Sequence, residues 1–326
     1  MIQTVTFPGL GWSFELNRVA FSIGGMNFYW YGLLIGLGFL LGIGYALKRG
    51  RQFGLNQDHM IDVIFGGTVA AIIGARLYYV AFRWDYYSQN LGEIINTRNG
   101  GLAIYGGLIG AVLAGYFICK WRKVRFLPMV DAAAGGFLIG QSIGRWGNFI
   151  NVEAFGANTS LPWGMSGPAV TAYLTEHEAE LEALGMEIDP SMPVHPTFFY
   201  ESMWCLLGFI VMQFLIKKRK FDGEIMLFYV GWYGAGRMVI EGLRTDSLMI
   251  GNTGIRVSQL LAALLVVVSL TIWFAVRRKQ KQNPEKFILY AETEESKENM
   301  RKEESKNQKK KDGEETSGQS EKEENQ

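Results

Sequence analysis

The sequence is short of the residues on which much soluble chemistry relies. Its 326 residues include only two cysteines, three histidines and eight prolines, and 19% of them are charged against 48% hydrophobic. Cys119 and Cys205 each lie in or beside an apolar run, so no disulfide framework is indicated and buried packing is their default role. His59, His177 and His195 lack metal-ligand spacing, and no His-Glu-x-x-His is present, so neither a metal nor a cofactor is expected. A phosphate loop of the nucleotide type, a serine nucleophile elbow and a Ser/Lys pair are also missing. Nothing points to a nucleic-acid partner. The start of the chain has no basic region leading into a short apolar core and a cleavage site, so the first long apolar helix is expected to target it.

What the sequence has is apolar length. The formal charge of +1 hides a partition: apolar runs fill most of residues 28–276, and charges crowd the loops and the last fifty residues. Several runs approach the ~20 residues that a spanning helix needs. Seven spans are expected, at about 28–47, 61–82, 102–119, 129–147, 197–216, 225–243 and 258–276; the fourth and sixth are short and charged, which makes six spans the competing count. Lys and Arg follow spans one, three, five and seven, and the connection from Asn148 to Pro196 has neither. By the positive-inside rule this places the N-terminus outside and the C-terminus in the cytoplasm, which requires an odd number of spans. The expected fold is an all-α integral membrane protein of seven transmembrane helices over residues 1–281. An acidic exterior cap is expected at about 151–196, and residues 1–27, broken by glycines, lie at the interface. Residues 282–326 bury too little apolar surface to offset ordering entropy, so a solvated cytoplasmic tail is expected.

An ionisable group inside a span costs about 2.5–3.5 kcal/mol on insertion scales, so each one asks for a reason. With this orientation Arg145, Arg237, Glu241 and Arg244 all fall towards the outer ends of spans four and six. Offsets of four, three and seven put the last three on one helical face. Asn148, Asn151 and Glu153 follow Arg145 closely. Tyr31 and Tyr105 sit at the outer entrances of spans one and three, and His195 lies just ahead of span five. Taken alone, Arg237 and Glu241 read equally well as a structural ion pair, Arg76 reads better as a packing residue, and Ile104–Gly110 reads as close helix packing. Together, Arg145, Arg237 and Arg244 make an anion site at the depth of phospholipid phosphates.

The motifs carry a resemblance. Gly144-Arg145-x-Gly-Asn148-Phe-Ile-Asn151-x-Glu153-x-x-Gly156 resembles the signature of the bacterial prolipoprotein diacylglyceryl transferases. Tyr105-Gly-Gly-Leu-Ile-Gly110, His195-Pro196 through Tyr200-Glu201, and Tyr233-Gly-x-x-Arg237-x-x-x-Glu241-x-x-Arg244 occur in the family's order. Trp30-Tyr31-Gly32 and Ala75-Arg76-Leu77 also fit, so the likeness runs from about Tyr29 to Trp273. The family often has a histidine where Tyr105 stands. A phenol of pKa near 10 is a poor base at neutral pH, which leaves the base open.

The resemblance implies transfer of the sn-1,2-diacylglyceryl group of phosphatidylglycerol to the lipobox cysteine thiol of preprolipoprotein signal peptides. A thioether forms and glycerol phosphate leaves, in the bacterial plasma membrane with the site towards the outer leaflet. It implies catalytic roles for Arg145, Arg237, Glu241, Tyr105 and Glu153. Lipid contacts would come from Arg145, Asn148, Asn151, Gly156, Tyr31, Arg244, His195 and Tyr233. The rival reading is a lipid or anion transporter using the same arginines; it would call for a midplane site between internal repeats, and none is evident.

Overall fold

The computed structural model describes residues 2–97, 100–246, 249, 256–305 and 308. The chain divides into two compact units, Met1–Ala46 with Ala133–Lys286, and Leu47–Ala132 with Phe287–Gln326. It is mostly helical. Among the described residues, six helices are long and apolar enough to cross a membrane: α1 (Trp30–Gly50, extended by a 3-10 turn to Phe53), α2 (Gln57–Phe82), α4 (Ile104–Trp121), α5 (Phe126–Asn151), α7 (Thr197–Ile216) and α9 (Val257–Gln282). α3 (Trp84–Tyr87) is a single turn, and α6 (Pro168–Ala183) is the acidic helix of the expected cap. α8 (Glu224–Glu241) carries Glu224, Arg237 and Glu241 and does not belong to those six.

The first unit opens with two hairpins where the sequence suggested only broken interfacial chain. β1 (Ile2–Phe7) pairs antiparallel with β2 (Trp12–Asn17), and β3 (Val19–Ile23) with β4 (Met26–Tyr29). Gly24 and Gly25 both have positive φ, at 59° and 81°, and form the two-residue turn that joins Ile23 to Met26. A primed turn of this kind matches the twist of its strands and needs φ > 0 at both positions, which Gly-Gly supplies. Thr6 and Ser166 exchange both backbone hydrogen bonds, at 2.7 and 2.8 Å. Val5 and Phe7 thereby reach a small core with Val152, Phe155, Val170 and Leu174. The first hairpin therefore packs together with residues of the 151–196 stretch.

The helices of this unit meet through small residues and a few polar clasps. Gly38 faces Gly140 and Gly42 faces Gly136, so the backbones of α1 and α5 pack with no side chain between them. Ser142 of α5 and Ser202 of α7 each donate to the other's carbonyl, at 3.0 and 2.9 Å. Trp204 of α7 and Trp232 of α8 stack at 4.5 Å, and each indole N–H donates to the other's backbone oxygen. Gly231 of α8 approaches Ser269 of α9, and Gly234 approaches Ala262. At the start of α8, buried Glu224 accepts from Arg277 and Trp273 of α9, at 2.7 and 2.8 Å. α8 thus runs antiparallel to both neighbours, fixed to α9 by a buried ion pair at one end.

In the second unit, α2 and α4 cross where Gly74 faces Gly106 and Gly110, and Gly110 also faces Ala70. The glycine-rich start of α4 is a packing surface, one of the readings its sequence allowed. Arg76 is buried, and its guanidinium donates to the backbone oxygens of Glu93, Ile94, Asn96, Gly100 and Gly101, at 2.7–3.3 Å. It organises the α2–α4 connection, in keeping with a packing role.

The start of the expected solvated tail is structured. Residues 294–305 are helical and Tyr290 is 1% exposed. The Arg125 guanidinium lies 5.1 Å from the Tyr290 ring, Ser296 donates to the Gly54 oxygen at 2.9 Å, and Glu303 accepts from the Gln57 N–H at 3.3 Å. Phe287, Ile288, Leu289 and Tyr290 give this stretch the apolar content that the composition of the whole tail conceals.

Candidate active site

The site is assembled in the first unit around a residue that the charge reading passed over. Glu201 lies in the first turns of α7 and is only 4% exposed. Its Oε2 is 2.5 Å from Nη2 of Arg145 on α5, and its Oε1 is 2.9 Å from Nη1 of Arg237 on α8. Nη1 of Arg244, just past α8, stands 3.8 Å from the same Oε1. One carboxylate therefore gathers three guanidiniums, one from α5 and two from α8 and the turn that follows it. Arginines this close in a low-dielectric setting repel one another, and the carboxylate placed between them offsets that repulsion.

Each arginine is also fixed from outside. Arg237 pairs with Glu241 one turn further along α8. Glu241 is 2% exposed and accepts from the Ser258 hydroxyl of α9 at 2.9 Å. Arg244 forks onto Asp246 through Nε and Nη2, at 2.9 and 2.7 Å. Partial burial of Asp246 pushes its carboxyl pKa up, but the Arg244 hydrogen bonds outweigh this and hold it below the ordinary carboxylate range. Arg256 donates to the backbone oxygens of Gly242 and Arg244, at 2.8 and 3.1 Å, and so shapes the turn that presents Arg244. Charge is balanced: Arg145, Arg237 and Arg244 stand against Glu201, Glu241 and Asp246.

A chain of amides leads out from Arg145. Its Nη1 is 3.4 Å from Asn148 Oδ1, a long contact. Asn148 and Asn151 donate to Glu153 Oε1, at 2.9 and 3.3 Å. Glu153 itself is exposed, held by two amides where Glu241 is held by a guanidinium. Val152 and Ala154, with φ of 52° and 57°, turn the chain sharply around it. Asn151 also borders a cavity of about 710 Å³ lined by Arg18, Asn27, Phe28, Tyr29, Tyr31 and their neighbours. Phenol, amide and guanidinium groups there sit beside aromatic and aliphatic surface, which suits an amphipathic ligand. The Tyr31 ring packs on Gly147, so α1 and the end of α5 share this wall.

Other residues of the expected site have supporting positions. Gly156 donates to the His195 oxygen at 2.9 Å and pairs with Arg244, and a Cβ there would press on His195, Leu243 and Thr197. His195 Nδ1 lies 3.2 Å from the Tyr200 hydroxyl, which accepts from the Trp163 indole at 2.8 Å. With its oxygen so engaged, the Tyr200 O–H is free to donate to Nδ1, which fits a neutral imidazole. Burial lowers the pKa of His195 and favours the same form. Tyr233 stacks on Tyr229 along α8 and lies within electrostatic reach of Arg145 and Arg237. Tyr105 belongs to the second unit, half-exposed in the first turn of α4. The structure thus brings Arg145, Arg237, Glu241 and Arg244 together and joins Asn148, Asn151 and Glu153 to them. Glu201 stood in the sequence as the last residue of the His195–Glu201 motif and the one acid of an otherwise apolar span, with no role given to it.

The family model described as prolipoprotein diacylglyceryl transferase matches residues 18–275. A protein from Finegoldia magna is 43% identical over 272 residues, which cover 83% of this chain and all of that one. Relatives from Bacillus cereus strain Q1 and Clostridioides difficile are 43% and 40% identical, over 84% and 82% of this chain and 97% and 98% of theirs. All three are named phosphatidylglycerol–prolipoprotein diacylglyceryl transferase.

Proposed function

The chain belongs to the prolipoprotein diacylglyceryl transferase family, and from that premise we propose that it moves the diacylglyceryl group of phosphatidylglycerol onto the lipobox cysteine of a preprolipoprotein. The sulfur attacks the glyceride carbon bonded to phosphate, the C–O bond breaks, a thioether forms and glycerol phosphate departs. A diester becomes a monoester as it leaves, so negative charge grows on phosphate oxygens in the transition state. Positioned guanidiniums stabilise such charge most where water is excluded. The observation that carries the reading is the meeting of Arg145, Arg237 and Arg244 on one buried carboxylate.

Arg145 and Arg237 hold the phosphate, with Arg244 behind them. Asn148 and Asn151 orient the glycerol head group, and Tyr31, Tyr233, His195 and Gly156 shape its surroundings. Glu241, occupied by Arg237 and Ser258, keeps that arginine in place. Glu153, exposed and held only by amides, takes the thiol proton. The cavity beside Tyr31 and Asn151 receives the lipid's glyceride end.

We place the protein in the bacterial plasma membrane with seven spans, the N-terminus outside and the C-terminus in the cytoplasm. α8 serves as the sixth span: it lies antiparallel between α7 and α9, and its eighteen residues reach about 27 Å, close to the hydrocarbon thickness. In this orientation the arginine cluster faces the outer leaflet, below an exterior cap at 151–196. Residues 1–281 form the catalytic domain and 282–326 the cytoplasmic extension.

The test is incubation of purified protein with phosphatidylglycerol vesicles and a lipobox peptide, read by mass spectrometry. A peptide mass gain equal to one diacylglyceryl group supports the function. Lipid movement between leaflets with an unmodified peptide would overturn it in favour of transport.

A further inference from the structure

We infer that Glu201 is a positioning residue for the transfer reaction, the tether that sets Arg145 and Arg237 at the spacing needed to grip one phosphate; this rests on the function proposed above. Arg145 comes from α5 and Arg237 from α8, and α7 supplies the group between them. The two oxygens of Glu201 are divided, one to each guanidinium, at 2.5 and 2.9 Å. A planar fork held this way has few orientations left, so the N–H donors not facing Glu201 keep fixed directions.

Glu201 is 4% exposed and both of its oxygens are committed to guanidiniums, so neither is open to the substrate. Its chemistry is exerted through the arginines. Neighbouring contacts hold the tether itself in register. Ser202, next in the chain, is clasped to Ser142 and accepts from the Trp146 indole at 3.1 Å, on the turn of α5 that carries Arg145. The Trp204–Trp232 clasp then locks α7 to α8 within one turn of Glu201. Glu201 is thus pinned between both helices whose arginines it aligns.

Charge sets the second part of its role. Without Glu201 the described cluster retains Arg145, Arg237 and Arg244 against Glu241 and Asp246, an excess of one cation. Arg145 and Arg237 would then separate from each other, and the pair would no longer close on the leaving phosphate. The loss falls on the transition state, where the phosphate charge is greatest, more than on ground-state lipid binding.

The experiment compares Glu201→Gln and Glu201→Asp with the wild type, separating kcat from KM for phosphatidylglycerol at saturating lipobox peptide, with thermal melts of the same preparations. Glu201→Gln is expected to lower kcat by about 100-fold, the scale of losing one transition-state donor, while KM changes by less than about threefold. Glu201→Asp keeps the charge and should recover about tenfold of that loss. In combination with Arg145→Gln, Glu201→Gln should cost little beyond the arginine change alone, because the two act as a unit. A kcat within about threefold of wild type in folded Glu201→Gln, or losses that multiply in the double variant, would overturn the inference. If Glu201→Gln does not accumulate folded, Glu201→Asp decides: a kcat reduced about tenfold at an unchanged melt supports the tether, and an unchanged kcat overturns it. An inactive wild type would instead strike at the proposed function, so the two failures are distinct.

Discussion

Glu201 meets Arg145 through one carboxylate oxygen and Arg237 through the other, so two helices that never adjoin in sequence share a single acid. The arginines in turn have unequal secondary support. Arg237 has a second carboxylate, Glu241, whereas Arg145 has a long contact to the Asn148 amide.

Arg145 is therefore the more sensitive of the two to conservative replacement. Arg145→Ala should abolish thioether formation in a membrane assay, and Arg145→Lys should recover little of it. Lysine restores one charge but not a planar fork able to reach Glu201 and a phosphate together. The expected loss for Arg145→Lys is at least about 100-fold in kcat/KM, followed by incorporation of labelled lipid into a lipobox peptide. Activity near wild type in Arg145→Ala would remove this residue from the chemistry.

Gly156 gives a prediction about packing. Its amide donates to the His195 oxygen, its neighbour Ala157 donates to the Leu243 oxygen at 2.7 Å, and there is no room for a Cβ. Gly156→Ala should push apart the strand-like contacts that carry His195 and Arg244, destabilising the fold by about 1–3 kcal/mol. The melt and the transfer rate should fall together. A variant that loses activity at an unchanged melting temperature would give Gly156 a direct role at the lipid instead.

Part of this arrangement was legible in the chain itself. Arg145 through Glu153 are close in sequence and emerge from the end of one apolar run, and Arg237 with Glu241 sit one helical turn apart. Local spacing sufficed for both. Glu201 was different: the His195–Glu201 motif included it, but its role emerges only through partners on α5 and α8, and periodicity does not report contacts between helices. Gly24 and Gly25 read as breakers because the alternation around them is short, yet their left-handed geometry makes the β3–β4 hairpin. The tail misled by averaging. Its many charges outweighed the short apolar stretch Phe287 to Tyr290, of which Tyr290 is buried.

That docking predicts a contribution to stability without one to chemistry. Tyr290 is enclosed, lies against Arg125, and is followed by the Ser296–Gly54 and Glu303–Gln57 contacts. Removing residues 287–326 should lower the melting temperature, and Tyr290→Ala alone should reproduce most of the change, about 3–5 kcal/mol for a large buried ring. Transfer per folded molecule should match the full chain. A truncated protein that melts with the wild type would mean that these contacts add nothing in solution.

His195 makes the stability of the fold depend on pH. Burial lowers its folded-state pKa below the ordinary histidine value, so the unfolded chain takes up the proton first as pH falls. The stability from the neutral imidazole is complete above the unfolded pKa of about 6.5 and is lost as pH drops through the folded value. Melts of wild type from pH 7.5 to 5 should therefore decline more steeply than those of His195→Asn, which cannot titrate. Parallel declines would assign the acid sensitivity to other groups.

Glu153 bears on the proton that must leave the thiol. It is exposed and accepts from two amides, so it can take a proton without breaking an ion pair, which Glu241 cannot do. Glu153→Gln preserves size and an acceptor oxygen while removing the base. General bases contribute about 10²–10⁴-fold, so a loss in that range is expected at neutral pH. The residual rate has its own signature. With no base, reaction depends on thiolate already present, and a free thiol ionises near pKa 8.5, so the rate should climb about tenfold per pH unit up to that point. Wild type should show a flatter dependence across the same interval. Rate profiles from pH 6 to 9 on both proteins provide the comparison, and curves that differ only by a constant factor would mean that Glu153 orients Asn148 and Asn151 and leaves the proton to another group.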